Sequence, residues 1–115
     1  MSKQSTPVLT LTVTAAATLT AERFITAAGG VPAADANVLG VVRQAGVTGD
    51  KVSVDCLGTV IVEAGAAISA GATLKTDNQG RAIPWATSGA KIGLALQAAS
   101  GAGQFIEVLL MPNVA

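Results

Sequence analysis

The feature that most constrains this chain is a hydrophobic period of two, broken at short intervals by turn residues. In 8–14, leucine and valine alternate with threonine, so Leu9, Leu11 and Val13 share one face of an extended segment. Such alternation in β-prone residues is typical of a half-buried strand. No segment has the 3.6-residue period of an amphipathic helix over three turns. The sequence therefore predicts an all-β fold.

Further strand signals follow one another closely along the chain. A second strand is favoured in 15–26, because its threonines and the Gly29-Gly30 stop outweigh a short alanine helix. Gly58 predicts a bend or bulge, and Gly80 a hairpin turn with positive φ. The other predicted strands are Val38–Gln44, Lys51–Cys56, Thr59–Glu63, Ala72–Thr76, Arg81–Pro84, Lys91–Gln97 and Gln104–Met111. Eight or so short strands predict a small β-sandwich or β-barrel-like domain.

The length of 115 residues fits one domain with a short extension. Residues 1–7 are polar, end at Pro7 and are expected to form a mobile arm. We accordingly divide the chain into an N-terminal arm with the first strand, 1–21, and a β-rich domain, 22–115.

Charge is scarce and balanced. Only 12% of the residues are charged, and seven basic residues cancel seven acidic ones. Nucleic acid is therefore not an expected partner, since neutralising phosphates takes clustered Lys and Arg. A membrane is not expected either, because the apolar stretch Phe105–Met111 is far shorter than the roughly 20 residues of a spanning helix. No signal peptide is evident at the N-terminus, so synthesis in a cytoplasm is expected.

Half of the residues are hydrophobic, yet only 3% are aromatic. The excess comes mostly from alanine and valine. A soluble surface normally carries about 25–35% charged residues. We therefore expect the domain to cover part of its surface with other subunits.

The sequence contains few residues of the types that catalytic sites use. There is no His and only one Cys, so zinc sites, His-based triads and a disulfide framework cannot be assembled. Cys56 shares a strand face with Val52 and Val54 and is expected to be an unreactive core residue. We predict no enzyme activity, no catalytic or metal-binding residue, and no cofactor.

Two carboxylate pairs lie close in sequence, Asp50 with Asp55 and Glu63 with Asp77. No other active-site residues accompany them, and aspartate is common in turns. Acid–base chemistry is therefore not the favoured interpretation.

Two single residues leave alternative functions open. Lys75 lies beside a predicted hairpin, as the modified lysine does in biotinyl and lipoyl carrier domains, although the flanking residues typical of those domains are missing. Trp85 could be the platform of a carbohydrate-binding β-sandwich displayed on a virion, although a lone Trp is more often a packing residue.

One ordered set of turns and strands carries a resemblance. It consists of Gly58–Glu63, a glycine-rich turn ending in Ile68-Ser69-Ala70-Gly71, Leu74-Lys75-Thr76-Asp77, a Gly80-Arg81 turn, Lys91–Leu96 and Phe105–Met111. From about Phe24 to Pro112 this order resembles the small capsid decoration, or cement, proteins of tailed bacteriophages.

The resemblance implies a β-sandwich or β-barrel-like domain of the β-tulip type with an extended N-terminal arm. It implies a homotrimer on the outer surface of the virion capsid, made in the host cytoplasm. Such a protein bridges neighbouring subunits of the major capsid protein and stabilises the shell against the pressure of packaged DNA.

The first strand supplies the candidate contact residues. They are Pro7, Val8, Leu9, Leu11 and Val13, expected to touch the capsid or a neighbouring subunit. The hypothesis is that this strand adds to the sheet edge of a neighbour through main-chain hydrogen bonds.

Overall fold

The computed structural model describes residues 5–111. This part of the chain contains eight β-strands, joined by turns and loops, and no helix. The strands are β1 (Thr6–Thr14), β2 (Arg23–Ile25), β3 (Gly40–Val42), β4 (Lys51–Glu63), β5 (Thr73–Thr76), β6 (Ala82–Pro84), β7 (Gly93–Ala95) and β8 (Phe105–Leu110). The predicted all-β class is therefore confirmed. Within these residues no helix could cross a membrane. Residues 1–4 of the expected arm, and Pro112, lie outside the described range.

All strands pair antiparallel in one sheet, in the order β2-β3-β4-β8-β7-β5-β6, and β1 pairs with β4. A parallel bridge between Ala64 and Ala82 ties the end of β4 to β6. The Phe24 N–H donates to the Gly80 carbonyl at 2.7 Å, which ties β2 to the β5–β6 hairpin. The sheet consequently curls into a nearly closed barrel, the barrel-like form of the predicted domain.

Small aliphatic side chains fill two hydrophobic clusters. The larger cluster occupies the barrel and includes Val60 and Val62 of β4 together with Phe24. The smaller cluster lies at the other end of β4 and includes Val52, Val54 and Cys56. The burial predicted for Cys56 is therefore confirmed. Alternate residues of one strand thus supply both clusters, as the period of two requires.

The glycines predicted to bend the chain do so. The two segments predicted around Gly58 are one continuous strand, β4, and Gly58 has a φ of 100°. Opposite it, the β1 register shifts on both sides of Leu9, which confirms the predicted irregularity. Gly80 has a φ of 78° in the β5–β6 turn, as predicted. Most other strands are shorter than predicted; β1 instead begins earlier, at Thr6.

Gly58 is required by its backbone conformation and by the close approach of β1. A Cβ there would collide with the Thr6 carbonyl oxygen and lie 2.8 Å from the Val8 nitrogen. Gly49 has a similar φ of 96° but faces open space. We expect Gly49→Ala to cost about 1–2 kcal/mol from φ alone. Gly58→Ala should cost about 1–3 kcal/mol more, because β1 must shift.

Urea unfolding of the two variants and the parent measures the difference. Equal losses in the two variants would show that β1 does not pack against Gly58.

Candidate binding surface

The free edge of β1 is the first element of this surface. Within residues 5–111, β1 pairs with β4 and with no other strand. The backbone N–H of Leu11 is directed to the Cys56 thiol on β4. Because successive N–H groups of a strand point to opposite edges, those of Thr10 and Thr12 point away from β4. No residue from Thr6 to Thr14 is charged. Long, uncharged edges of this kind are templates for another strand.

The structure separates the five candidate contact residues. Pro7 is half-buried opposite Gly58, and Val13 packs against the smaller cluster. Val8 lies at the register irregularity with 78% of its surface exposed. Leu9 and Leu11 share the Val13 side but remain 41% exposed each. Alternation predicts that Leu9, Leu11 and Val13 share a half-buried face. Among the described residues of that face, Val13 is the one that packs against a hydrophobic cluster.

The exposed leucines of β1 line an apolar groove of about 320 Å³. Its lining residues are Leu9, Leu11, Val38, Leu39, Cys56, Leu57 and Met111. None of them is charged or carries a polar side chain other than the thiol. The groove therefore extends the apolar face of β1 beyond the smaller cluster, and this surface is open to solvent.

Polar contacts hold β1 onto the sheet. The Thr10 hydroxyl donates to Asp55 at 2.8 Å. Asp55 is almost wholly buried and forms an ion pair with Arg43 at 3.4 Å. Beside them Glu22 has an unusual φ of 65°, and burial, opposed by Arg43, raises the pKa of its carboxyl. Glu22, Arg43 and Asp55 line a cavity of about 70 Å³.

Cys56 lies at the junction of the smaller cluster and the groove. It is 8% exposed, and burial raises the pKa of its thiol, opposed by the Leu11 N–H. A thiol with a raised pKa is a poor nucleophile, since the thiolate is the reactive form. Its surroundings are those of a packing residue.

The other carboxylates weighed from the sequence have partners of their own. Asp50 accepts from the Val47 N–H at 2.9 Å, Glu63 pairs with Arg23 at 3.0 Å, and Asp77 pairs with Arg81 at 3.0 Å. These are turn caps and ion pairs, so each of these carboxylates already has a structural partner. In the described part of the chain, no three His, Cys, Asp or Glu residues cluster as they would to hold a metal.

Lys75 lies within β5 and not at the tip of the hairpin. Its ammonium is 2.7 Å from Asp35 and donates to the Ser88 carbonyl at 3.3 Å. Hydrogen bonds from Lys75 and then Ser88 lower the pKa of the Asp35 carboxyl. A carrier domain needs its lysine free to swing, whereas this one is tied to the 85–92 loop.

Trp85 is half-buried and uses its polar group internally. Its Nε1 donates to the Gly89 carbonyl at 2.9 Å, and the Lys91 ammonium lies 4.5 Å from the ring centre. The ammonium interacts with one face of the ring, and the indole N–H is already used within the loop. The geometry therefore favours a packing role for Trp85.

Sequence reasoning identified the β1 side of the surface but missed the opposite wall of the groove. Leu39 precedes β3, Leu57 lies beside the β4 irregularity, and Met111 follows β8. These residues come together only through strand pairing. Leu57 faces the groove because the register slips there, which periodicity does not reveal.

Comparison with known proteins gives a match to one family model and matches to solved structures. A family model described as phage cement protein matches residues 3–110. The fold is similar to a solved structure, the head fiber gp8.5 N base in bacteriophage phi29, with a TM-score of 0.73 and 23% sequence identity. The match covers 90% of this chain and 93% of that one. At this identity the likeness shows a shared fold. No curated protein sequence matches the chain.

The Thr10–Asp55 hydrogen bond should contribute to the attachment of β1. Thr10→Val removes the donor and should lower the free energy of unfolding by about 1 kcal/mol. Thr12→Val makes the same chemical change two residues along β1, where the hydroxyl has no hydrogen bond to the described residues. Urea unfolding compares the two variants. Equal stability of both would mean that Asp55 does not hold β1.

Proposed function

The chain belongs to the phage cement protein family, and on that premise we propose that it binds the outer surface of a phage head and bridges neighbouring major capsid subunits. Family membership makes it a structural component of the phage virion. Its role there is binding without catalytic turnover, and it requires no cofactor.

The observation that carries the proposal is the uncharged free edge of β1. An edge strand of nine residues can receive an extended segment of a neighbour through main-chain hydrogen bonds. Val8, Leu9 and Leu11 expose apolar surface on β1, so hydrophobic contact accompanies those bonds. The other two candidate contact residues attach β1 to the domain. Pro7 lies opposite Gly58, and Val13 packs on the smaller cluster.

A protein that bridges capsid subunits against the pressure of packaged DNA must transmit force from its contact surface to the rest of its domain. β1 is hydrogen-bonded to β4 from Thr6 to Thr14, and β4 is also paired with β3 and β8. Force applied to β1 is therefore shared among many bonds in three neighbouring strands. The Thr10–Asp55–Arg43 contacts add side-chain links between β1, β4 and the residue after β3.

Many weak contacts can secure a shell when the copies are linked. We propose a homotrimer, in which linkage turns modest single contacts into high avidity. The balanced and scarce charge of the chain favours close packing of copies, because little repulsion opposes it.

Removing β1 altogether is not a clean test, because Val13 packs on the smaller cluster and β4 would lose a paired strand. A change confined to the free edge is sharper. Thr12→Pro removes an N–H that points away from β4, and edge strands tolerate proline there. Thr12→Ser, which keeps the N–H, is the matched control.

We expect Thr12→Pro to bind isolated heads lacking the protein at least about tenfold more weakly than Thr12→Ser, a difference of about 1.4 kcal/mol. Thermal unfolding should show both variants folded. Co-sedimentation with the heads measures binding, and electron microscopy of heads heated with and without the protein measures stabilisation. Failure of the parent protein to bind heads would contradict the proposed function, and equal binding of the two variants would remove the β1 edge from it.

A further inference from the structure

Glu22 combines a strained backbone with a carboxyl group that has no hydrogen bond within the described residues. Its φ of 65° lies in the left-handed region, which a residue with a long side chain rarely adopts. The backbone is held from both sides, because the Glu22 N–H donates to the Val42 carbonyl at 2.9 Å and the Glu22 carbonyl accepts from the Glu63 N–H at 2.8 Å. Strained residues of this kind cluster at functional positions, so Glu22 calls for an explanation.

Asp35 is the other described residue besides glycine with a positive φ, and it offers a contrast. Its carboxylate lies 2.7 Å from the Lys75 ammonium and accepts from the Ser88 hydroxyl at 3.0 Å. Aspartate is also among the residues enriched in the left-handed region, and glutamate is not among them. The position of Asp35 is therefore accounted for by the groups that it binds, whereas that of Glu22 is not.

Glu22 lines the cavity of about 70 Å³ together with Asp55 and Arg43. Arg43 Nη1 is 3.4 Å from Asp55 Oδ2, and the Thr10 hydroxyl donates to Oδ1 of the same carboxylate at 2.8 Å. The remaining lining residues carry no charge and are Ser5, Val41, Val60 and Ile61. Two carboxyl groups thus share one guanidinium at this cavity, and one of the two, Asp55, is bonded to β1.

The charges at the cavity oppose one another. Burial raises the pKa of the Glu22 carboxyl, Arg43 opposes that rise, and the charge of Asp55 adds to it. Arg43 attracts both carboxylates, while the carboxylates repel each other. The neighbouring charged groups of Arg23 and Glu63 are already paired with each other at 3.0 Å. The charge of Glu22 therefore acts mainly on Asp55 and Arg43.

We propose that Glu22 is a pH-sensitive latch on β1. When Glu22 is ionised, it competes with Asp55 for Arg43 and repels the carboxylate to which Thr10 is bonded. When Glu22 is protonated, the competition and the repulsion end, Arg43 pairs with Asp55 alone, and β1 is held more firmly. The latch tightens in acid and loosens at neutral pH. It acts on the attachment of β1 to its own domain, which goes beyond the proposed function.

The direction of the pH dependence follows from the two states of Glu22. A carboxyl group whose pKa is raised in the folded protein stabilises the fold when it is protonated. The contribution of Glu22 is therefore fully present below its ordinary pKa of 4.5 and is lost as the pH rises through the raised value. Asp35 behaves in the opposite way, because hydrogen bonds from Lys75 and then Ser88 lower the pKa of its carboxyl. Its contribution is present at neutral pH and is lost in acid.

Glu22→Gln removes the charge and keeps the size of the side chain, and Asp35→Asn is the matched control at the other positive φ. Urea unfolding at about pH 8 and about pH 4 compares both variants with the parent. At the higher pH we expect the unfolding equilibrium constant of Glu22→Gln to be at least about twofold lower than that of the parent, the smaller end of the coupling within one network. The difference should shrink toward zero at the lower pH. Asp35→Asn should be less stable than the parent at the higher pH.

Amide hydrogen exchange at about pH 7 shows whether the effect reaches β1, because it reports local opening. The Leu11 and Val13 amides, which face β4, should exchange at least about twofold more slowly in Glu22→Gln than in the parent. The amides of the β5–β6 hairpin should be unchanged. In a Thr10→Val background, Glu22→Gln should give no such protection, because the link from Asp55 to β1 is gone.

Equal stability of Glu22→Gln and the parent at the higher pH would overturn the latch. A gain shared equally by β1 and the β5–β6 hairpin would also overturn it, as would a gain that persists without the Thr10 hydroxyl, since Glu22 would then be an ordinary buried charge. None of these measurements uses phage heads. Failure of the latch therefore leaves the proposed function standing, and failure to bind heads leaves the latch standing.

Discussion

The hydrogen bonds of β4 are the interaction on which the rest of this structure depends. This strand of 13 residues pairs with β1, β3 and β8, and its alternate side chains enter both hydrophobic clusters. With few aromatic residues, the protein cannot rely on large side chains to unite its core. A single long strand does so instead, since it runs from the smaller cluster into the barrel. Gly58 makes this continuity possible, because its positive φ and the close approach of β1 leave no room for a side chain there.

The same irregularity shapes the binding surface. Where β1 and β4 slip in register, Leu57 turns toward the groove and Val8 is left exposed on β1. β-bulges occur often at sheet edges, where they redirect side chains. Here the irregularity creates apolar surface beside an unpaired edge, so one local feature supplies both parts of the proposed site. Charged side chains are one means by which proteins block such an edge, and no residue from Thr6 to Thr14 is charged.

The sequence was sufficient for the fold class and for the positions of the strands, because period-two alternation and turn glycines are local signals. It placed Cys56 inside and Gly58 and Gly80 at irregular positions correctly. It did not reveal the exposure of Leu9 and Leu11, since alternation says which residues share a face but not what covers that face. The groove was equally hidden, because Leu39, Leu57 and Met111 are distant in sequence and meet only through long-range pairing. The division at residue 21 remains a prediction, and β1 is bonded to β4 along its length.

The distribution of charge determines which kinds of contact the surface of this charge-poor protein offers. The three arginines are all bound to carboxylates of the same chain, namely Glu63, Asp55 and Asp77. These pairs link neighbouring segments and leave little charge to repel or steer a partner. Partly exposed ion pairs contribute little to the free energy of unfolding. Their larger effect is to leave few unpaired charges on the surface. What remains on β1 is main-chain hydrogen-bonding groups and aliphatic side chains. Contacts of those two kinds are screened little by salt. They also gain strength mainly from close fit, as the proposed binding to a shell under load would require.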